Sequence, residues 1–338
     1  MAVDRARRWT DAHLAEMEAH IAQVYREAQA DLTAKWNDYM VRGQRRLDDL
    51  YAAYVGAPVD KKPDALKRYQ DAVQNYTLRN EWYRDMVDET TYRLAHVNEI
   101  AVAYVNGEMP AIYVRNYNQI DPEALYIRSN WTLRDEHTVA NLMRDSLPEK
   151  TVNYAKDMLW NKRQINSSVL QGILQGESIS KMAKRLLPIV DNNKASAIRT
   201  ARTMVTAAEN RGRLDRYQEY EAEGIITHKV WIATPDGRTR NWHMSMDGQE
   251  VEVNEPFIDG HGHELEYPGD PSGAPDSIYN CRCSMRSQII GVRGSNGHII
   301  TITQYRDGTS LHDLQIAAER ARRGENYWRI IDGKWTYV

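Results

Sequence analysis

Cysteine is nearly absent from this chain, with Cys281 and Cys283 the only two thiols in 338 residues. That count excludes a secreted disulfide framework, and the C-x-C spacing is a poor geometry for a bond between the pair. Phenylalanine is rarer still, with Phe257 alone against 20 Tyr and 9 Trp. No apolar run approaches the roughly 18 residues that a membrane-spanning helix needs. The N-terminus, MAVDRARRWTDAHLAEM, lacks the apolar stretch of a secretory signal, so the expectation is a protein made in a cytoplasm with no membrane span. Charge of one sign is missing too. Lys and Arg total 44 against 47 Asp and Glu, a net charge of -3, which argues against a dedicated nucleic-acid coat. The phosphate loop G-x-x-x-x-G-K-[ST], the zinc-protease pattern H-E-x-x-H and the nucleophile elbow G-x-S-x-G do not occur.

What is present suits a folded, mostly helical protein. Apolar residues make up 42%, enough for a core, while 27% charged residues and a mean hydropathy of -0.69 imply a large surface. The Tyr and Trp excess suits contact surfaces, since both side chains join an apolar body to a polar tip; compositional drift explains it equally well.

Helical spacing dominates the first hundred residues. Leu14, Met17, Ile21, Val24 and Ala28 step by three and four, and the seam continues through Leu32, Trp36, Met40, Leu47, Leu50 and Tyr54 to a stop at Gly56 and Pro58. Leu66, Tyr69, Val73 and Tyr76 mark a second helix, and a third runs from about Glu81 to Val105. Asn106, Gly107 and Pro110 read as its stop, and Ala111 to Val114 as a short strand. Helices are expected from Leu133 to Leu147 and from Glu149 to about Gly176. Ser178 caps another that Pro188 helps to end, and the last runs from about Asn193 to Ala222.

Composition changes at about residue 225. Lys229 to Ala233 reads as a strand, Pro235-Asp236-Gly237 as a turn, and Ser287 to Val292 as a second strand, with dense Gly and Pro between Pro256 and Pro275. The tail suggests a strand from His298 to Thr303, a helix from Leu311 to Arg323 and a strand from Lys334 to Val338. The fold class is therefore α+β, mainly α: long N-terminal helices and a helical base carrying a small irregular α/β lobe.

The lobe and its lead-in carry a resemblance. AIRTARTMVTAAENRGRLDRY, then KVWIATPDGRTRNWHMSMDGQEV, EPF, YPGDP and YNCRC occur in that order, after the upstream GILQGESISKMAKRL. This series resembles the phage head morphogenesis (Mu F-like) family over about a hundred residues. One departure is Met204, where many relatives have Glu after the Arg-Thr of the helix. The resemblance implies a minor capsid protein of a tailed bacteriophage, located in the virion. Portal protein and other capsid or scaffold proteins would be its partners in head assembly and DNA packaging or delivery, with phage DNA a further candidate. With it, the chain divides into a helical bundle or arm (1–107), a helical middle region (108–190), the head morphogenesis domain (191–291) and a small α/β tail (292–338).

The residues with chemical capacity are Arg238, Arg240, His243, Asp247, Asn280, Cys281 and Cys283. Two thiolates and an imidazole are ligands that zinc prefers, so His243, Cys281 and Cys283 form a candidate structural zinc set, with His261, His263 or Asp247 as a fourth ligand. Zinc signatures usually use C-x-x-C pairs, and two buried thiols beside a hydrogen-bonded His243 explain the same residues. His261-Gly262-His263 is either a second ligand pair or a surface loop. Arg238 and Arg240 could meet a phosphate or partner carboxylate, or pair with Asp236 or Asp247. Arg199 and Arg202, with Lys194, Arg211, Arg213 and Arg216, suggest a DNA-facing edge or a solvated charged face. Three readings follow: a structural, non-enzymatic head component; a metal-dependent nuclease or toxin-like transferase; or a DNA-binding module.

Overall fold

The computed structural model describes residues 4–74, 81–127, 130–142, 150–175, 181, 184–293, 299–301, 320, 323, 328–331 and 334–337. Long helices follow from the apolar stripes. Helix α1 (Arg5–Val55) buries Met17, Ile21, Tyr25, Leu32 and Trp36 on one face and ends at Gly56, whose N–H caps the Ala52 carbonyl at 2.9 Å. Helices α2 (Lys62–Gln74), α3 (Glu81–Tyr117), α4 (Pro122–Ile127), α5 (Glu136–Leu142), α6 (Tyr154–Leu174) and α7 (Leu187–Ala222) follow.

The expectation at Pro110 fails. Helix α3 runs through Gly107 and Pro110 to Tyr117, so Ala111 to Val114 is helix and not strand. A proline inside a helix costs about 3 kcal/mol. Burying Ile112, Tyr113 and Tyr117, each at most 3% exposed, returns roughly 2 kcal/mol apiece and outweighs it. Pro188 lies in the first turn of α7, where a residue needs no N–H partner; most of the helix that it is expected to end lies outside the described residues. Helix α6 begins five residues later than expected; the Asn153 carboxamide accepts the Lys156 N–H at 3.0 Å and caps it. Gly176, Ser178 and most of the stretch from Leu311 to Arg323 lie outside the described residues.

The chain forms two units, divided within α1, α3 and α7. One comprises residues 17–104 and 150–198. Its core includes Trp36, Val87, Leu94, Ile165, Val169 and Ile189. A buried amide chain crosses it: Asn98 donates to Asn193 at 2.9 Å, and Asn193 donates to Asn161 at 2.9 Å.

The other unit comprises residues 1–16, 105–149 and 199–338. Here α7 carries an antiparallel sheet in the order β2-β1-β5-β6, formed by Glu250–Glu252, Ile225–Ile232, Ser284–Arg293 and Ile299–Thr301. Register runs from Ile225 opposite Val292 to Ile232 opposite Ser284, with an irregularity at Ile226/Thr227. Phe257–Ile258 (β3) pairs with Glu264–Leu265 (β4), and Trp328–Ile331 (β7) with Lys334–Tyr337 (β8). The lobe core gathers Leu214, Tyr217, Tyr220, Trp231, Phe257, Leu265, Cys281, Cys283 and Met285. Several tyrosines are core residues with bonded hydroxyls: Tyr113 donates to Asp215 at 2.6 Å, and Tyr220 accepts the Asp121 N–H at 3.0 Å. Helix α7 also passes close to α3. A Cβ on Gly212 would sit 2.5 Å from the Tyr113 carbonyl oxygen, so only glycine fits.

Candidate metal centre

The centre is built where β1 and β5 meet α7. After β1 the chain turns at 233–239, and Asn241–Met244 forms one helical turn, α8, that carries His243 inward. A second short helix, α9 (Pro275–Ile278), leads through Tyr279 and Asn280 to Cys281, and Cys283 directly precedes β5. Asn280 adopts the left-handed conformation, φ 57°, which Asn tolerates better than most residues.

His243, Cys281 and Cys283 are at most 2% exposed. Nδ1 of His243 lies 3.6 Å from each sulfur, and the three donor atoms fall within 4.8 Å of one another. Metal bonds of ~2.1 Å to nitrogen and ~2.3 Å to sulfur at a tetrahedral angle separate the donors by about 3.6 Å. The donor set and the nitrogen–sulfur spacing thus fit zinc. Cys281 donates toward Cys283, and His243 lies beside it, so Cys283 is held below the ordinary thiol range while the same bond and burial push Cys281 up. Nε2 of His243 is buried without a hydrogen-bond partner, whereas the far nitrogen of a histidine ligand commonly donates to a carboxylate or carbonyl. The expected fourth ligand does not appear: neither Asp247 nor the His261/His263 pair joins this group. Asp247 is turned to the backbone and accepts the Ala233 N–H at 2.9 Å.

Side chains of α7 hold the cysteine segment, and sequence reasoning did not assign them this role. Thr203 accepts the Asn280 N–H at 2.8 Å, and Thr206 donates to the Cys281 carbonyl at 2.7 Å. Asn210 donates to the Cys283 carbonyl at 3.4 Å and accepts the Met285 N–H at 3.1 Å, while Arg213 donates to the Met285 carbonyl at 3.0 Å. Steps of three, four and three keep all four on one helix face. They satisfy backbone groups that no strand partner reaches. The motif that carried the resemblance contains these residues; their spacing was the available signal.

The basic residues divide. Arg213 and Arg216 are buried, so neither belongs to a DNA-facing edge or a solvated face. Arg213 pairs with Asp4 at 2.7 Å and Glu209 at 3.1 Å, and Arg216 with Glu219 at 2.7 Å while lying 4.0 Å over the Tyr117 ring. Burial raises the Glu209 pKa against the pull of Arg213 and Arg7. Lys194 pairs with Asp191 at 2.7 Å and Arg211 with Asp215 at 2.9 Å. Arg199 is exposed and Arg202 half-buried. Arg240 donates to the Tyr279 carbonyl, and Arg238 lies 3.5 Å from Asp236. Asp236 is held mainly by Arg282, which turns away from the thiols and keeps that carboxyl well below the usual carboxylate range. Arg240 thus ties the loop to Tyr279, while the Arg238 side chain is 76% exposed.

Residues 163–286 match the family model described as Phage Mu protein F like protein. The chain is 24% identical over 276 residues to Minor head protein GP7 of Bacillus phage SPP1, a match covering 76% of this chain and 85% of that one. It is also 27% identical over 146 residues to NAD(+)--arginine ADP-ribosyltransferase EFV of Enterococcus faecalis (strain ATCC 700802 / V583), covering 43% of this chain and only 29% of the transferase. No solved structure matches it. No helix among the described residues is long and apolar enough to cross a membrane.

Proposed function

We propose that this chain is a minor capsid protein of a tailed bacteriophage, built into the head and not a catalyst. In this reading it associates with the portal or procapsid and serves head assembly and DNA packaging or delivery. The observation that carries the reading is the match to the SPP1 minor head protein, which extends over 85% of that protein and well beyond the domain itself. The transferase match takes in under a third of the longer protein, so its activity is not carried over.

His243, Cys281 and Cys283 hold a structural zinc ion in this account. Their burial supports a structural role, because a catalytic thiol or metal must be reached by substrate. Quantitative mass spectrometry of gradient-purified heads tests the assembly role. The chain is expected in heads at a fixed ratio to the portal protein. Its absence from heads, with full recovery in the soluble lysate, contradicts the proposal.

A further inference from the structure

A second group of metal-binding side chains lies at the tip of the β3–β4 hairpin. The tip is closed on itself: the Asp259 N–H donates to the His263 carbonyl at 3.0 Å, and the Gly262 N–H donates to the Asp259 carbonyl at 2.9 Å. Gly262 takes the left-handed turn position, φ +83°. Gly260 lets the tip rest on Trp242, since a Cβ there would lie 2.9 Å from the Trp242 Cβ.

Asp259 has no exposed side-chain surface, and it organises the tip. One oxygen accepts the N–H groups of His261 at 2.8 Å and His263 at 2.9 Å. The other accepts Nδ1 of His263 at 3.0 Å and the Ser277 hydroxyl. Those four bonds use the capacity of the carboxylate. The His263 ring is thereby fixed, with Nε2 directed away from Asp259. His261 is oriented similarly: its Nδ1 lies 3.5 Å from an Asp276 oxygen, and its ring lies against Trp242 with centroids 4.3 Å apart, tilted by 30°. The two imidazoles stand 5.8 Å apart between centroids, nearly perpendicular, and Asp259, His261 and His263 each bring a donor atom within 4.8 Å of the other two.

We propose that this tip is a second metal site, taking a divalent transition ion such as Ni2+, Cu2+ or Zn2+ on the imidazoles of His261 and His263. Imidazole suits these ions, and a carboxylate holding the far nitrogen of a histidine ligand is the usual supporting contact. Asp259 supplies that contact for His263, and Asp276 adds negative charge beside His261. The rings are 44% and 36% exposed in their side chains, so water completes the coordination and the ion exchanges with solvent. This separates the site from the buried thiol centre.

Equilibrium dialysis of the full chain against Ni2+ tests the proposal, using His261→Ala and His263→Asn. Asparagine at 263 can still donate to Asp259, so that variant keeps the tip's internal bond while removing Nε2. Each variant is expected to lose one equivalent of bound Ni2+, or to bind it about tenfold or more weakly, with unchanged melting in metal-free buffer. Wild-type stoichiometry and affinity in His263→Asn overturns the proposal. So does a loss confined to His261→Ala.

Discussion

Asn210 of α7 grips the backbone at Met285: its side-chain oxygen accepts the Met285 N–H at 3.1 Å while its amide donates to the Cys283 carbonyl at 3.4 Å. One carboxamide thus spans the junction between the thiol segment and β5. Replacement by alanine strands a buried N–H and weakens support of a carbonyl. Asn210→Ala is expected to lower stability by about 2–4 kcal/mol in urea denaturation, and Thr206→Val by about 1–2 kcal/mol. A loss below 0.5 kcal/mol in Asn210→Ala means that the clamp contributes little.

Arg213 is the next link on the same helix face. It pairs with the partly exposed Asp4 and the buried Glu209. Arg213→Met leaves a buried carboxylate without its main partner and is expected to cost roughly 3–5 kcal/mol. Adding Glu209→Gln should recover part of that loss, read as a positive coupling in a double-mutant cycle.

Gly212 sets how closely α7 approaches α3. A methyl group there meets the Tyr113 carbonyl oxygen at 2.5 Å, and backbone cannot yield as a flexible side chain would. Gly212→Ala is expected to lower stability by about 3 kcal/mol despite the better helix propensity of alanine. Thermal unfolding decides it; a higher melting temperature contradicts the close packing.

The hairpin tip gives a pH dependence. Burial opposes ionisation of Asp259, but the Ser277 hydroxyl and the N–H groups of His263 and His261 outweigh it, holding the pKa at about 2 against an ordinary 3.8. Its folded pKa is the lower one, so this stabilisation is complete above about pH 4 and is lost as pH falls toward about 2. The shift is worth roughly 2 kcal/mol. Asp259→Asn should flatten that part of the stability curve; an unchanged acid limb contradicts the assignment.

Much of this architecture is legible in the residues, and the exceptions share a cause. The apolar stripe from Met17 to Trp36 announces α1, because burial and helical period agree there. Pro110 misleads because its local penalty is smaller than the burial of the residues beyond it. Arg213 and Arg216 look like an exposed basic pair, since spacing fixes that they lie on adjacent turns but not which face they occupy. His243, Cys281 and Cys283 are recognisable by ligand type alone. Thr203, Thr206 and Asn210 escape notice because they bind backbone, and a backbone group leaves no mark in sequence.

The account depends on His243, Cys281 and Cys283 acting as one structural centre. Zinc content by mass spectrometry, paired with melting in the presence and absence of a chelator, tests this most directly. The wild-type chain is expected to hold one zinc through this centre and to melt lower with chelator. The variant carrying Cys281→Ser and Cys283→Ser should lack that zinc, match the stripped wild type and ignore the chelator. A wild-type chain that holds no zinc here and melts at the same temperature with or without chelator contradicts it.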